Sequence, residues 1–120
     1  MMKIKSLQEA MESAIKLIRQ YHLENKQPER INFIAVKQNY YGNTLGALGL
    51  SSHKPRRAHF LPYFSEKFHH VSPCFSYHYK LDSESNEAYV KRLADELEAK
   101  FQELGPETVA AFVTETGLFD

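Results

Sequence analysis

The sequence predicts an α/β fold, with an incomplete and mostly parallel sheet flanked by helices. Residues 31–36 and 108–114 are short apolar runs rich in β-branched and aromatic side chains, which is typical of buried strands. Residues 6–23 and 85–104 space their apolar side chains as amphipathic helices do. Strands that alternate with helices favour parallel pairing, because the helix returns the chain to the same end of the sheet.

The first predicted helix, residues 6–23, has one apolar face and a favourable charge order. Glu9 and Glu12 lie near its start and Lys16 and Arg19 follow, which suits the helix dipole. The polar residues 25–27 and Pro28 end it. Its predicted buried stripe comprises Ala10, Ala14, Leu17, Ile18 and Tyr21, widened by Met11 and Ile15.

The chain between the two strands starts with a turn and becomes irregular. Asparagine and glycine in residues 39–43 favour a turn, and residues 44–50 predict a short helix that two glycines weaken. Residues 51–85 are rich in histidine and aromatic side chains, and only 70–72 predict a short strand. Long irregular segments in compact domains usually bind something or contact a partner.

The second predicted helix, residues 85–104, has the clearest pattern in the chain. Ser85 is a suitable N-cap with Glu87 in the first turn, and Gly105 and Pro106 end the helix. Its predicted apolar stripe comprises Val90, Leu93, Ala94, Leu97, Phe101 and Leu104.

Length and composition narrow the functional classes. A chain of 120 residues allows one domain at most, and two predicted strands are too few for a complete parallel sheet, so we expect one partial domain over residues 1–120. Fifteen basic residues balance fifteen acidic ones, which argues against nucleic acid or an anionic membrane as partner. Cys74 is the only cysteine, and no secretory or membrane-spanning apolar run is present, so a cytoplasmic protein is expected.

The histidines and the cysteine suggest two kinds of chemistry, a metal site and a nucleophile, and a structural role is favoured over both. His69, His70, Cys74 and His78 suggest zinc, but no Cys-x-x-Cys pair or second ligand cluster accompanies them, so polar loop residues are favoured and no metal is predicted. Cys74 as a nucleophile lacks its catalytic context, and an inert thiol is favoured.

The charged groups have similarly plain interpretations. The basic run of residues 54–57 suggests a phosphate contact, and a solvated or interface loop is favoured over it. Asp95, Glu96 and Glu98 lie on the polar side of a predicted helix, where exposure to solvent is expected rather than acid–base work.

Several ordered blocks resemble the class-III pyridoxal-phosphate (PLP) aminotransferases, in particular their fungal members. Residues 9–19 resemble the family helix that follows Ser-Gly-Ser, residues 37–48 resemble its Tyr-His-Gly-x-Thr-x-Gly-Ala segment, and residues 105–115 resemble the approach to its Glu-Pro strand. The resemblance implies part of the three-layer large domain of fold type I PLP-dependent transferases. It also implies PLP as the family cofactor.

The resemblance places cofactor-binding positions at Tyr40, Tyr41 and Gly42. Tyr40 matches the tyrosine that covers the pyridine ring, Tyr41 replaces the family histidine, and Gly42 matches the glycine. At the helix start, Leu7 and Gln8 stand where the family has glycine and serine to grip the cofactor phosphate. These positions are therefore interpreted as vestigial, and a packed or exposed aromatic is favoured over a cofactor stack at Tyr40.

The resemblance implies no catalytic residue within this chain. The family lysine that forms the Schiff base and the aspartate that pairs with the pyridinium nitrogen have no match here. Thr116 follows Glu115 where the family has proline, and residues 115–120 form an off-pattern tail that suggests a shifted or shortened reading frame. We expect a truncated, inactive aminotransferase-like chain, or alternatively an interaction module that docks on an intact aminotransferase subunit or a complementary chain.

Overall fold

The computed structural model describes residues 5–116, which form three strands and five α-helices. The elements in chain order are α1 (Leu7–Glu24), β1 (Asn32–Val36), α2 (Leu45–Leu50), α3 (Lys54–Arg57), β2 (Phe68–Val71), α4 (Ser76–Tyr79), α5 (Asn86–Leu104) and β3 (Val109–Val113). Short 3₁₀ turns precede β2 at Leu61–Tyr63 and β3 at Pro106–Thr108.

The sheet has three strands in the order β2-β1-β3, and both pairings are parallel. This arrangement confirms the α/β prediction with a parallel sheet and flanking helices. The two longer apolar runs form β1 and β3, while the short strand predicted at 70–72 is β2 and begins earlier, at Phe68. In β1, the residues from Asn32 to Ala35 are all buried, as expected for a central strand covered on both faces.

The two faces of the sheet pack against different helices, because side chains alternate along a strand. Phe33 and Ala35 of β1 face α1 and α2, where Leu50 completes the cluster. Ile34 of β1 faces α5 together with Val71 of β2 and joins Val109 of β3. The connections therefore place helices on both sides of the sheet, so the fold has three layers.

Helix α1 is rotated relative to the predicted stripe. Met11, Ile15 and Ile18 pack against the core, whereas Leu17 is 67% exposed and Tyr21 is 61% exposed, so the prediction that these two are buried is wrong. The inward face continues to His22, whose Nε2 donates to the carbonyl oxygen of Ala110 at 2.9 Å. A polar contact of this kind helps to set the rotation of α1, and the spacing of apolar residues in the sequence does not reveal it.

Helix α5 packs across the sheet as predicted, but two residues of its predicted apolar stripe are exposed. The Ser85 hydroxyl accepts a hydrogen bond from the Ala88 N–H at 3.1 Å, as predicted for an N-cap. Val90 and Ala94 are exposed instead of buried, because the chain after β2 packs on Tyr89, which is buried, and leaves an open groove beside these two residues. Leu97, Phe101 and Leu104 pack against the core.

Both ends of the chain extend past the described residues. The predicted tail of residues 115–120 is described only at Glu115 and Thr116, which follow β3 without regular structure, and positions 117–120 lie outside. Within residues 5–116, no helix combines the length and apolar character needed to cross a bilayer.

Candidate functional site

The candidate site lies at the carboxyl ends of β1 and β3. β1 and β3 are parallel neighbours in the order β2-β1-β3, so they end at the same edge of the sheet, and the chain after one strand lies beside the chain after the other. The turn of residues 39–43 follows β1 directly, and Glu115 follows β3. The Tyr40 backbone N–H donates to Glu115 Oε1 at 3.3 Å, which joins the two strand ends.

Tyr41 anchors this turn from inside the protein. Its side chain is 2% exposed, its hydroxyl donates to the carbonyl oxygen of Val113 at 3.1 Å, and Asn39 Nδ2 donates to the same hydroxyl at 3.0 Å. Its backbone N–H donates to Ser51 Oγ at 3.0 Å. Burial raises the pKa of Tyr41 above its usual value of 10.0, so the phenol keeps its proton at neutral pH.

Tyr40 has a half-buried ring with a cation on one face. The Arg56 guanidinium carbon lies 4.9 Å from the centroid of the Tyr40 ring, within the range of a cation–π contact. A guanidinium stacked on this ring leaves only the opposite face for any other planar group. The role of Tyr40 in covering a cofactor ring stays a prediction.

Gly42 brings the turn against the start of α1. Its φ of 128° lies in a region that favours glycine, and a Cβ atom there would lie 2.4 Å from Gln8 Cβ and 2.7 Å from Gln8 Cα. Glycine is therefore required for this close approach. The structure brings together the two segments that the resemblance assigns to cofactor ring and phosphate.

The start of α1 fits a phosphate group poorly. The stem of Gln8 is packed on Gly42, where the family pattern has a serine, and a half-exposed Leu7 side chain stands at the position of the family glycine. The Ser6 hydroxyl accepts a hydrogen bond from the Glu9 N–H at 3.3 Å and so acts as the helix cap. We therefore derive no catalytic step through PLP at this position.

A carboxylate from α1 holds the start of α2, a role that sequence reasoning missed. Glu12 Oε1 accepts hydrogen bonds from the Thr44 hydroxyl and from the Ala47 N–H, the latter at 3.1 Å. A Cβ at Gly46 would lie 2.4 Å from Glu12 Oε1, so the carboxylate fills the space that the glycine leaves open. Glu12 and Thr44 both lie in sequence blocks that resemble the aminotransferase family, and this shared membership was the sequence feature that could have indicated their contact.

The residues considered for zinc point in different directions. His69 Nε2 donates to Asn32 Oδ1 at 3.0 Å, while His70 Nε2 donates to the Leu50 carbonyl oxygen at 2.8 Å on the other face of β2. Burial lowers the pKa of both imidazoles, which is consistent with neutral donors. Cys74 is exposed, and residues 5–116 contain no cluster of three or more metal-binding side chains.

The basic run of residues 54–57 is helix α3 and is not uniformly solvated, which corrects the simple loop interpretation. Arg57 turns inward: its guanidinium lies 5.0 Å from the Phe64 ring centroid and donates to the Gly49 carbonyl oxygen at 3.4 Å. Burial lowers the pKa of Arg57, and its Nε is buried without a partner among the described residues.

The acidic residues of α5 also differ partly from expectation. Asp95 pairs with Lys91 at 2.6 Å on the exposed surface, as a solvated helix face predicts. Glu96 instead accepts a hydrogen bond from the Ser72 N–H at 2.9 Å, so it fixes the chain after β2. None of these contacts arranges an acid–base pair.

Comparison with known proteins gives one consistent family. The model of the family described as "Aminotransferase class-III" matches residues 1–118. An aminotransferase of Gibberella zeae is 52% identical over 111 residues, which cover 90% of this chain and 22% of that protein. An uncharacterised aminotransferase of Schizosaccharomyces pombe is 50% identical over 108 residues, covering 90% of this chain and 24% of that protein.

Solved structures give the same result. An omega-transaminase from Pseudomonas jessenii in complex with PMP superposes with a TM-score of 0.86 at 31% identity, over 91% of this chain and 24% of that one. A thermostable (S)-enantioselective omega-transaminase from Thermomicrobium roseum gives 0.85 at 31% identity with the same coverages. The chain thus spans about a quarter of the length of the proteins it matches.

Proposed function

The chain belongs to the class-III aminotransferase family, and we propose that these 120 residues alone hold no covalently bound PLP and transfer no amino group. On this proposal, the chain supplies the structural support of the Tyr40 turn, and a full-length family member would supply the rest of the active site. The kinship to fungal aminotransferases, predicted from the sequence blocks, is confirmed by the two fungal relatives.

The start of α1 carries this proposal. A phosphate held at a helix start needs free backbone N–H groups that it can approach closely. Here the Gln8 stem lies against Gly42 and the Leu7 side chain occupies the first turn. Without a phosphate anchor, stacking on Tyr40 would contribute on the order of 1 kcal/mol, too little for tight binding.

The lysines near the turn in sequence support the same conclusion. PLP enzymes attach the cofactor as an imine to one positioned lysine. Lys37 and Lys54 line a separate cavity to which none of Tyr40, Tyr41 and Gly42 contributes. Neither of these two lysines therefore lines a cavity that it shares with the Tyr40 ring.

The test is to incubate the purified chain with PLP, remove the excess and record visible absorbance before and after addition of an amino donor. The full-length omega-transaminase of Pseudomonas jessenii serves as the positive control. We expect no stoichiometric imine band from this chain and no spectral change with donor. A stoichiometric band that shifts with donor would overturn the proposal.

A second function, docking on an intact aminotransferase subunit or on a complementary chain, is favoured by an open face. Strand β3 is at an edge of the sheet among the described strands, and Phe112 on it is 42% exposed. Beside it a groove of about 490 Å³ is lined by apolar side chains that include Val90, Leu93 and Leu97. A chain that extends the sheet would cover both.

Co-purification measures this docking. The chain is co-expressed with the part of the Schizosaccharomyces pombe relative that lies outside the matched region. Phe112→Asp should abolish co-purification, whereas Tyr77→Asp, at a side chain that is 86% exposed and outside the groove, should preserve it. Equal loss or equal retention in the two variants would contradict docking at β3.

A further inference from the structure

A second cavity, of about 560 Å³, opens at the carboxyl ends of β1 and β2. Lys37 follows β1 directly, and Ser72 follows β2. The connection between α2 and α3 contributes Ser52, and Lys54 is the first residue of α3. The two strands are parallel and end at the same edge of the sheet, so the residues that follow them meet around this cavity.

Positive charge in this cavity is not compensated by the chain. No aspartate or glutamate is among its lining residues, which include Lys37, Lys54 and His53. The ion pairs within residues 5–116 involve other cations. In a chain of zero net charge, this concentration of like charges is a local feature that a bound anion would neutralise.

Gln38 contacts two of the three hydroxyl groups among the lining residues, those of Ser52 and Tyr79. Its backbone N–H donates to Ser52 Oγ at 2.8 Å, and its side-chain amide donates to the Tyr79 hydroxyl oxygen. Each hydroxyl therefore acts as an acceptor toward Gln38, and neither has an acceptor for its own proton among the described residues. A hydroxyl has one proton to give, so both protons are available to a ligand.

Gln38 keeps this arrangement fixed through its backbone. Its φ of 69° lies in the left-handed region, which turns the chain sharply after β1 and allows the backbone N–H to reach Ser52. The preceding Lys37 N–H donates to the Val71 carbonyl oxygen at 2.8 Å and continues the pairing with β2. The two strand ends and the donors are thus held together before any ligand arrives.

We propose that this cavity binds a small oxyanion, a carboxylate or a phosphate monoester, through Lys37, Lys54 and the hydroxyls of Ser52 and Tyr79. Ammonium groups and hydroxyl protons are all donors, and such a set matches an acceptor-only group. The proposal does not depend on whether the chain holds PLP, because none of Tyr40, Tyr41 and Gly42 lines the cavity.

Ligand-linked stability tests it on the full chain. An anion that binds only the folded form raises the urea midpoint, even where folding is marginal. Inorganic phosphate and succinate are compared with sodium chloride at equal ionic strength and low millimolar concentration, so that charge screening cancels and stabilisation by exclusion of the anion from the surface stays small. We expect phosphate, succinate or both to raise the midpoint above the chloride value. A response to phosphate alone assigns a phosphate monoester, and a response to succinate assigns a carboxylate.

Variants connect the effect to the cavity. The double variant Lys37→Gln/Lys54→Gln should weaken binding at least about tenfold, and Tyr79→Phe should weaken it severalfold while leaving the ring in place. Lys16→Gln, at an exposed lysine on α1, removes one positive charge elsewhere and should bind like the unchanged chain. If the double variant fails to fold, Tyr79→Phe carries the test. No midpoint shift beyond chloride, or equal shifts in the cavity variants and Lys16→Gln, would overturn the proposal.

Discussion

The contact between Glu12 and Gly46 gives a quantitative test of how α1 and α2 are joined. Glu12→Ala removes the acceptor of the Thr44 hydroxyl and of the Ala47 N–H. Hydrogen bonds to a charged group contribute about 1.5–3 kcal/mol, so we expect a loss of about 2 kcal/mol in the free energy of unfolding. Gly46→Ala alone should also destabilise, because its Cβ would lie 2.4 Å from Glu12 Oε1 and displace the carboxylate.

The double variant separates this mechanism from independent effects. Gly46→Ala displaces the Glu12 carboxylate and so loses about 2 kcal/mol of hydrogen bonding, while alanine regains about 1 kcal/mol of helix propensity, which leaves a cost of about 1 kcal/mol in the original chain. With Glu12 already removed, the new methyl group meets no carboxylate and should stabilise by about the same amount. Glu12→Ala/Gly46→Ala should then lose about 1 kcal/mol, where simple addition gives about 3 kcal/mol.

Urea unfolding followed by far-UV circular dichroism measures these values, with a fixed concentration of trimethylamine N-oxide to stabilise the folded reference. Glu29→Ala, at an exposed carboxylate in the loop before β1, is the matched control and should change stability by no more than about 0.5 kcal/mol. If the two single effects add to within about 0.5 kcal/mol, the carboxylate does not occupy the space above Gly46, and the reasoning is refuted.

Three further expectations follow from burial and topology. His70 has a pKa lowered below 6.5 by burial, so the unfolded chain binds more protons, and stability should be complete above about pH 6.5 and fall as the pH decreases below it. Urea midpoints between about pH 7.5 and 5.5 measure this dependence, which His70→Asn should reduce to the part that His69 contributes through its own lowered pKa. Tyr41→Phe should lower stability by about 1 kcal/mol through loss of the hydrogen bond to Val113, and a urea midpoint equal to that of the original chain would show the hydroxyl to be dispensable. The isolated chain should be marginally stable because its sheet has open edges, and a cooperative melt at an ordinary mesophilic temperature would count against this.

The sequence predicted the elements that have strong periodicity but not the orientation of α1. Helix α1 has two adjoining apolar stripes. The stripe with Met11, Ile15 and Ile18 packs on the core, and the stripe with Leu17 and Tyr21 is exposed to solvent. Glu12 and His22 decide between them, since each needs a partner in α2 or β3 that lies far away in the chain. A polar residue that fixes a helix through a distant carbonyl or N–H group leaves no periodic signal.

Strand β2 was predicted only in part for a similar reason. Its two central residues are histidines, which are not typical of a buried parallel strand. His69 and His70 fit because each donates to an acceptor on its own face of the sheet, Asn32 on one side and Leu50 on the other. Those acceptors come from β1 and α2, so the compatibility of histidine with this strand is visible only in three dimensions.

Two positions at which the chain departs from the resembled family pattern, Tyr41 and Gln8, are also supports of the Tyr40 turn. Tyr41, Val113 and Glu115 tie the turn to β3, and the Gly42 contact seats it on α1. All of these contacts come from within the chain, so the turn keeps its conformation without any bound group. The stem of Gln8 receives Gly42 at the position where the family pattern has a serine, and the Tyr41 hydroxyl donates to the Val113 carbonyl oxygen at the position where that pattern has a histidine. The turn is therefore packed by side chains that differ from the family pattern, because a tight approach at Gly42 and one hydrogen bond to β3 are enough to hold it.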